Sequence, residues 1–185
     1  MASWSHLAQR FFGALRPGGP DPADVAWVQS VLEPPELALW QRLPGHDRRH
    51  TVEVARKVES ALAGTPHAGD SRWLAAALLH DVGKLASGLS VPGRVVATLA
   101  GMAGARGSGG HRGDSRLSAW EEFRGFRRRI SQYVRHGEIG ADMIRIAGGR
   151  EEVAAWAGAH HDRSRLDTTM FPASVVSALV ESDGD

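Results

Sequence analysis

A histidine and an aspartate, His80 and Asp81, stand side by side after the apolar segment 73–79, and Gly83 and Lys84 follow them closely. Imidazole and carboxylate groups are both competent ligands for divalent metal ions, so this pair can bind one ion together. Apolar surroundings would lower the local dielectric and strengthen the electrostatic interactions of the pair. Taken alone, the pair could equally be hydrogen-bonded at a helix end. Other residues of the chain must decide between the two interpretations.

Further histidines lie upstream and downstream of this pair, at predicted helix ends or core-facing positions. Each has a structural alternative, since His50 could be a hydrogen-bonded core side chain and a helix dipole favours a C-terminal histidine such as His160. Gly140, one turn after His136, would let another backbone or a ligand come close. Taken together, the histidines indicate one shared site. The further candidate ligands are His50, His136, His160 and His161.

The chain has no cysteine, which excludes a disulfide framework, a thiol nucleophile and a thiolate metal site. Any metal must therefore be held by His, Asp, Glu and water, which favours a partly open catalytic site over a closed structural zinc site. Lysine is rare, because only Lys57 and Lys84 occur among 22 basic residues. A lysine kept beside the candidate ligands favours a specific role for Lys84.

The elements that must position these side chains are helices. His50, Val54, Val58 and Leu62 recur every four residues, which predicts one core-facing stripe of a helix. No stretch alternates with a period of two, so no sheet is predicted. The sequence therefore predicts an all-α, single-domain helical bundle. Helices are predicted over about 3–15, 22–33, 36–43, 47–63, 71–80, 92–103, 117–134, 138–146, 151–160 and 172–183.

Composition fits one globular domain of 185 residues, with 42% hydrophobic and 23% charged residues. A formal net charge of +1 makes no case for nucleic acid. The longest apolar run, 95–105, is far shorter than the ~20 residues that span a bilayer, and no targeting segment is evident, so we expect a cytoplasmic protein. The basic segment 106–135 could steer anionic phosphates, or bind RNA or acidic lipid, or be a solvated helix face.

In order and spacing, the candidate residues form the pattern H…HDxGK…HxxxG…HH…D. This pattern resembles the signature of the HD-domain metal-dependent phosphohydrolases, including the additional histidines of HD subfamilies that bind two or more metals. Similar elements occur in HD-GYP phosphodiesterases and in HD-type diadenosine tetraphosphate hydrolases. The resemblance covers roughly residues 45–184. Its letters stand for His50, His80, Asp81, Gly83, Lys84, His136, Gly140, His160, His161 and Asp183.

The resemblance implies an HD-type bundle with a central metal site in residues 45–185. The glycines at 104–116 predict an insertion loop within this domain. Residues 1–44 carry none of the pattern and are predicted to be an N-terminal helical extension packed on the domain. Asp81 would bridge two metals, and Asp185 or Glu181 remain alternatives to Asp183 at the C-terminal end. The imidazole-rich ligand set favours Mn or Fe, with Mg, Co, Ni or Zn as alternatives. The first metal would be held by His50, His80, Asp81 and Asp183. The second would be held by Asp81, by His136, and by His160, His161 or both.

The same resemblance implies the reaction. Asp81 and Lys84 would be catalytic, with Lys84 close to the substrate phosphate, and Arg48 and Arg49 are candidate phosphate clamps. The expected function is hydrolysis of a phosphomonoester or phosphodiester, plausibly in a nucleotide, by a metal-activated water at a dinuclear site. Asp162 follows the histidine pair and no Gly-Tyr-Pro element occurs, so cyclic-di-GMP is not favoured as substrate.

Two other functions remain open: an HD-type di-iron oxygenase, and a non-catalytic nucleotide-binding or signalling HD module. The expected partner is a small phosphorylated substrate, with no strong case for nucleic acid or membrane. The protein is expected to be a monomer or a homodimer.

Overall fold

A computed structural model describes residues 18–90, 92–94, 96–97, 124–162 and 171–184. These residues contain no strand, which confirms the predicted all-α class. The predicted helix at 3–15, the glycine-rich loop at 104–116 and Asp185 lie outside the described residues. The helices are α1 (Pro22–Val31), α2 (Pro34–Gln41), α3 (Gly45–Leu62), α4 (Ser71–Leu79), α5 (Lys84–Ser87), α6 (Phe126–Val134), α7 (His136–Ala147), α8 (Glu151–Ala159) and α9 (Ala173–Asp183).

Local capping signals set several helix starts. Asp21 accepts a hydrogen bond from the backbone of Asp24 at 2.9 Å, and Pro22 occupies the first turn of α1. At the start of α2, Glu33 and Glu36 form a capping box. Asp70 caps α4 by accepting a hydrogen bond from the backbone of Arg72 at 3.0 Å. Capping residues therefore mark where α1, α2 and α4 begin.

Helix α4 is the central element of the fold. Every residue from Trp73 to Leu79 is buried, so this helix presents apolar side chains on all sides. It packs against α1, α2, α3, α8 and α9. His80 and Asp81 follow α4 directly, so they lie in the middle of the bundle and are each only 1% exposed.

Helix α3 is amphipathic and packs on α4 and α9. Its buried face includes Thr51, Val54, Val58 and Leu62, whereas His50 lies at the edge of this face with its side chain 28% exposed. The prediction that His50 faces the core is therefore wrong in part, because its side chain lies at the edge of the buried face and not in its centre. A half-exposed imidazole at this edge can face both the site and solvent.

The short helix α5 packs against α6. Leu89, Ala97 and Ile130 form a small second core there. Gly88 ends α5 in the left-handed conformation with φ of 54°, which glycine adopts without strain. Arg129 of α6 donates from Nε to the carbonyl of Ser87 at 2.8 Å and from Nη2 to the carbonyl of Gly88. One arginine of the basic segment is thus a cap for the last carbonyls of α5.

Three predicted helix boundaries need correction. The continuous helix predicted over 117–134 is wrong at its centre, because Gly125 has φ of 79° and α6 begins only after it. Pro34 and Pro35 were predicted to separate two helices, but they form the first turn of α2, where proline is tolerated. Helix α7 begins at His136, two residues earlier than predicted. Of the helix predicted over 92–103, residues 92–94 and 96–97 are helical and the remainder lies outside the described residues.

Helices α1 and α2 share the main core with the helices that carry the site. Val28, Leu39 and Trp40 are buried in the same cluster as the α4 side chains. The indole of Trp40 donates to Thr51 of α3 at 3.1 Å. Among the described helices, none combines the length and the apolar character that crossing a membrane would require.

Candidate metal centre

Asp81 lies at the centre of a cluster of imidazole and carboxylate groups. Its Oδ1 is 3.2 Å from Nε2 of His136 and 4.0 Å from Nε2 of His160. Its Oδ2 is 3.4 Å from Nε2 of His80 and accepts a hydrogen bond from Nζ of Lys84. The two carboxylate oxygens therefore face two different sets of side chains, as a bridging ligand must.

The first set surrounds Oδ2 of Asp81. His50, His80 and Asp81 each offer one ligand atom, and these atoms lie within 4.8 Å of one another. Asp183 completes the set, because its Oδ1 is 3.3 Å from Nε2 of His50 and 3.5 Å from Nε2 of His80. Between the alternatives at the C-terminus, Asp183 is the carboxylate that reaches these histidines, whereas the side chain of Glu181 is exposed.

The end of α9 is held against α3 near these ligands. Lys57 of α3 contacts the carbonyl of Ser182 at 3.4 Å, next to Asp183 in the last turn of α9. Gly184 then ends the helix with φ of 77°. The other lysine of the chain thus stabilises the last helical turn, where a cation is favourable with the helix dipole.

The second set surrounds Oδ1 of Asp81. His136, His160 and His161 offer ligand atoms that also lie within 4.8 Å of one another. The Nε2 atoms of His136 and His161 are 3.2 Å apart. His136 and His160 are buried and His161 is exposed, so this set opens to solvent on the side of His161.

Three of the imidazoles are oriented by the same local contact. The Nδ1 atoms of His80, His136 and His160 contact the carbonyls three residues earlier, at 2.8, 2.7 and 2.8 Å. A carbonyl only accepts hydrogen bonds, so each Nδ1 carries a proton and Nε2 is the ring nitrogen that faces the cluster. Metal-binding histidines use this arrangement to fix their tautomer and ring orientation.

Buried polar atoms test whether the residues fit a metal. Nε2 of His80 and Nε2 of His160 are buried and have no hydrogen-bond partner among the described residues. Such orphaned atoms are rare in folded proteins, because an unpaired buried polar group costs about 1–3 kcal/mol. Both atoms point towards Asp81, and a bound cation would satisfy them. The donor set of imidazole and carboxylate therefore fits divalent metal ions.

The cluster also sets the protonation of its members. Burial opposes the charged form of His80, but Asp81 and Asp183 outweigh it and raise the pKa of His80 to about 9. Burial would raise the pKa of Asp81, but Lys84 and His80 hold it well below its usual range. Burial lowers the pKa of His136, and burial together with the neighbouring histidines lowers the pKa of His160 well below its usual value. Asp81 is thus an anion, His136 and His160 are neutral, and His80 carries a second ring proton that a metal would replace.

Glycines allow the backbones that carry these side chains to approach closely. A Cβ on Gly83 would lie 1.8 Å from the carbonyl oxygen of His136, and one on Gly140 would lie 3.1 Å from the nitrogen of Gly83. The close approach predicted at Gly140 is confirmed, and its partner is backbone. A Cβ on Gly137 would lie 2.9 Å from the carbonyl oxygen of Ala157 in α8. These contacts bring α7 within reach of both Asp81 and His160.

The predicted substrate-binding residues lie in different surroundings. Lys84 contacts Asp81, and its Nζ is 6.0 Å from the ring centre of Tyr133. Arg48 lies over the ring of Trp40 at 5.5 Å, and Arg49 donates to the carbonyl of Gly18 at 3.0 Å. Lys84 is thus part of the cluster. The role of the two arginines in binding phosphate stays a prediction.

Sequence analysis missed the ion pair between Arg94 and Asp47. Nη1 of Arg94 donates to Oδ1 of Asp47 at 2.6 Å and lies 3.4 Å from Nε2 of His46. His46 and Asp47 stand in the first turn of α3, one turn before His50. No local pattern pairs Arg94 with Asp47, because 47 residues separate them and the pair forms only once the helices pack.

Comparisons of the chain with protein-family models, curated proteins and solved structures found no match.

Proposed function

We propose that the protein is a metal-dependent phosphohydrolase of the HD type, which hydrolyses a phosphomonoester or phosphodiester, plausibly in a nucleotide, with a metal-activated water. One observation carries this proposal: two sets of imidazole nitrogens converge on the two oxygens of Asp81, and the Nε2 atoms of His80 and His160 are left without hydrogen bonds among the described residues. Two divalent cations in such a site would polarise a phosphoryl group and lower the pKa of a bound water.

The protein's own residues have separate tasks in this proposal. Asp81 would bind both metal ions, one through each carboxylate oxygen, and so fix the position of the two ligand sets relative to each other. Lys84 provides a positive charge beside Asp81, within reach of the oxygens of a phosphate bound there. Burial of His80 and Asp81 keeps bulk water from the inner wall of the site, whereas the more exposed His50 and His161 leave an opening for substrate.

The histidine-rich ligand set also suits iron, which keeps a di-iron oxygenase as the second candidate. Oxygen dependence separates the two reactions. A hydrolase loaded with ferrous iron turns over without oxygen, whereas an oxygenase requires it. A module that only binds nucleotide would show neither reaction after metal loading.

The decisive experiment combines metal analysis with hydrolysis of a nucleotide panel by the manganese- or iron-loaded protein. We expect close to two metals per chain and phosphate release that Asp81→Ala lowers by about 10³-fold or more, since this substitution removes the bridging group. Asp142→Ala is the control, because Asp142 is an aspartate of α7 whose side chain is 73% exposed and which lies outside both ligand sets. Fewer than one metal per chain, or full turnover in Asp81→Ala, would contradict the proposal.

A further inference from the structure

Lys57 contacts the end of the helix that carries one of the candidate metal ligands. From an exposed position on α3, its Nζ donates to the carbonyl oxygen of Ser182 at 3.4 Å. Ser182 is only 5% exposed, and Asp183 follows it as the last residue of α9. The carbonyl of Ser182 and the nitrogen of Asp183 belong to one planar peptide unit. A contact that fixes this carbonyl therefore also restricts the backbone orientation of Asp183.

Asp183 occupies a position where its own helix gives little support. The last carbonyls of an α-helix have no helical N–H partner, and helix ends fray. Gly184 leaves the helix with φ of 77°, and its nitrogen donates to the carbonyl of Val180 at 3.3 Å. The carbonyl of Ser182 instead accepts from Lys57, a cation that the helix dipole favours at this end. Contacts from outside α9 thus decide how firmly the carboxylate of Asp183 is held.

Helix α3 contacts the end of α9 at two points. Nε2 of His50 lies 3.3 Å from Oδ1 of Asp183, and Lys57 contacts the carbonyl of the preceding residue. Lys57 follows His50 by seven residues, so the two side chains stand on the same side of α3, two turns apart. One helix therefore supplies both a candidate ligand and a contact that orients the carboxylate opposite that ligand.

We propose that Lys57 is a positioning residue for the first ligand set, the one that surrounds Oδ2 of Asp81. It holds Asp183 where the carboxylate reaches a metal in that set, and it acts through the peptide unit that joins Ser182 to Asp183. Both ligand sets belong to the proposed function, so this inference rests on it.

Positioning by Lys57 and the charge of Lys57 have opposite effects on metal binding. A cation near a metal site repels the metal, so loss of the positive charge by itself would strengthen metal binding. Loss of the contact with Ser182 would weaken metal binding, because the carboxylate of Asp183 would no longer be held in place. The sign of the change in metal affinity therefore separates the two effects.

Titration of Mn²⁺ into variants that report one ligand set at a time tests this assignment. His161→Ala weakens the second set and so reports the first, whereas Asp183→Ala removes a ligand of the first set and so reports the second. In the His161→Ala background, we expect Lys57→Met to lower the affinity for Mn²⁺ by about ten-fold, as loss of a group that orients a metal ligand does. In the Asp183→Ala background, Lys57→Met should change the affinity by less than about two-fold, because the ligand that Lys57 positions is absent.

Further variants control for charge and for folding. Lys57→Arg keeps a cationic donor and should bind Mn²⁺ within about three-fold of its parent. Arg128→Met removes a positive charge from an exposed position on α6 and should leave the affinity unchanged. Urea unfolding of the metal-free proteins shows whether each variant folds. If Lys57→Met does not fold, Lys57→Gln replaces it, with the same loss of affinity expected.

Several results would overturn the positioning role of Lys57 and leave the proposed function standing. One is unchanged or tighter binding of Mn²⁺ when Lys57→Met is combined with His161→Ala. Another is an equal loss of affinity when it is combined with Asp183→Ala. The same holds for a loss in Lys57→Arg or in Arg128→Met as large as that in Lys57→Met. A wild-type protein that binds no Mn²⁺ would overturn both the positioning role and the proposed function.

Discussion

At the scale of single residues, the cluster is built from histidines whose orientation is fixed by their own helices. His80 and His160 are the residues that immediately follow α4 and α8, where the last carbonyls have no helical N–H partner. Each ring turns back to the carbonyl three residues earlier and thereby satisfies that carbonyl. The same contact directs Nε2 away from the helix and into the cluster. A helix C-terminus is therefore a way to present an imidazole, as well as a place where its charge is tolerated.

The adjacent histidines His160 and His161 should differ in what they contribute. His160 is 7% exposed and its Nε2 is buried, whereas His161 lies on the solvent side and contacts His136. We expect His160→Ala to lower both metal occupancy and the free energy of unfolding, the latter by about 2 kcal/mol, because it leaves a cavity. His161→Ala should lower the affinity for the second metal by about ten-fold, and leave stability unchanged within about 0.5 kcal/mol.

Metal titration followed by elemental analysis, and urea unfolding of the metal-free proteins, measure these two effects. His67→Ala is a suitable control, because His67 contacts Trp73 and lies outside both ligand sets. Equal metal affinity in His161→Ala and the wild type would remove His161 from the ligand set.

At the scale of elements, the four-residue helix α5 depends on contacts from outside it. It is too short to be stable alone, and its residue Lys84 is bonded to Asp81. Arg129 from α6 holds its C-terminal end. We expect Arg129→Ala to accelerate amide hydrogen exchange in residues 84–90 and to destabilise the protein by about 1 kcal/mol.

Arg128→Ala is the matched control for this prediction, since it removes an exposed arginine from the same helix. It should leave hydrogen exchange in 84–90 unchanged. Equal exchange rates in both variants would mean that Arg129 does not hold α5. In that case Arg129 would belong to a solvated basic face of α6.

The approach of α7 to the turn after Asp81 depends on Gly83. An alanine there would bring Cβ against the backbone of His136, which cannot move aside as a flexible side chain would. We expect Gly83→Ala to destabilise the protein by about 3 kcal/mol and to lower metal affinity, because it pushes His136 away from Asp81. Gly19→Ala is the control, since its new Cβ would make only an ordinary contact of 3.5 Å. Unfolding by urea and metal titration would report the two effects, and unchanged metal affinity in Gly83→Ala would contradict the argument.

Sequence reasoning identified the residues whose spacing follows helical geometry and missed those that depend on tertiary packing. The residues at 80, 81, 136, 160 and 161 stand at helix ends, so their order and local pattern were enough to group them. The positive φ of Gly125 was not predictable, because a glycine within a basic, amphipathic segment is compatible both with a helix and with a break between helices. The partners of Arg94 and Arg129 are distant in the chain, and only the packed fold joins them.

At the scale of the whole molecule, a buried ion pair links the N-terminal helices to the helices that carry the candidate metal ligands. Glu36 of α2 is fully buried, and Arg150, which precedes α8, binds it from Nε, Nη2 and the backbone nitrogen. Arg150 also donates to Ser71 at the start of α4 and to the carbonyl of Val31 at the end of α1. One arginine thus joins α1, α2, α4 and α8. We expect the described helices to unfold in a single transition.

This ion pair predicts how stability depends on pH. Burial would raise the pKa of Glu36, but the hydrogen bonds from Arg150 outweigh burial and hold the pKa below its usual value. A carboxyl with a lowered folded pKa contributes stability above its unfolded pKa, about 4.3, and loses that contribution as the pH falls through the folded pKa. Glu36→Gln should therefore cost about 3 kcal/mol at neutral pH, since it leaves the charge of Arg150 uncompensated, and the difference from wild type should shrink in acid.

Urea unfolding of the wild type and the variant at a series of pH values measures this dependence. Glu151→Gln is the matched control, because Glu151 also accepts hydrogen bonds from an arginine, Arg145, but their side chains are 56% and 45% exposed. Solvent screens that surface pair, so its loss should cost less than about 1 kcal/mol at any pH. A constant difference between Glu36→Gln and wild type from neutral to acid pH would show that the charge of Glu36 does not stabilise the fold. The link between the N-terminal helices and the helices with the candidate metal ligands would then rest on their shared apolar core and on the neutral hydrogen-bond partners of Arg150.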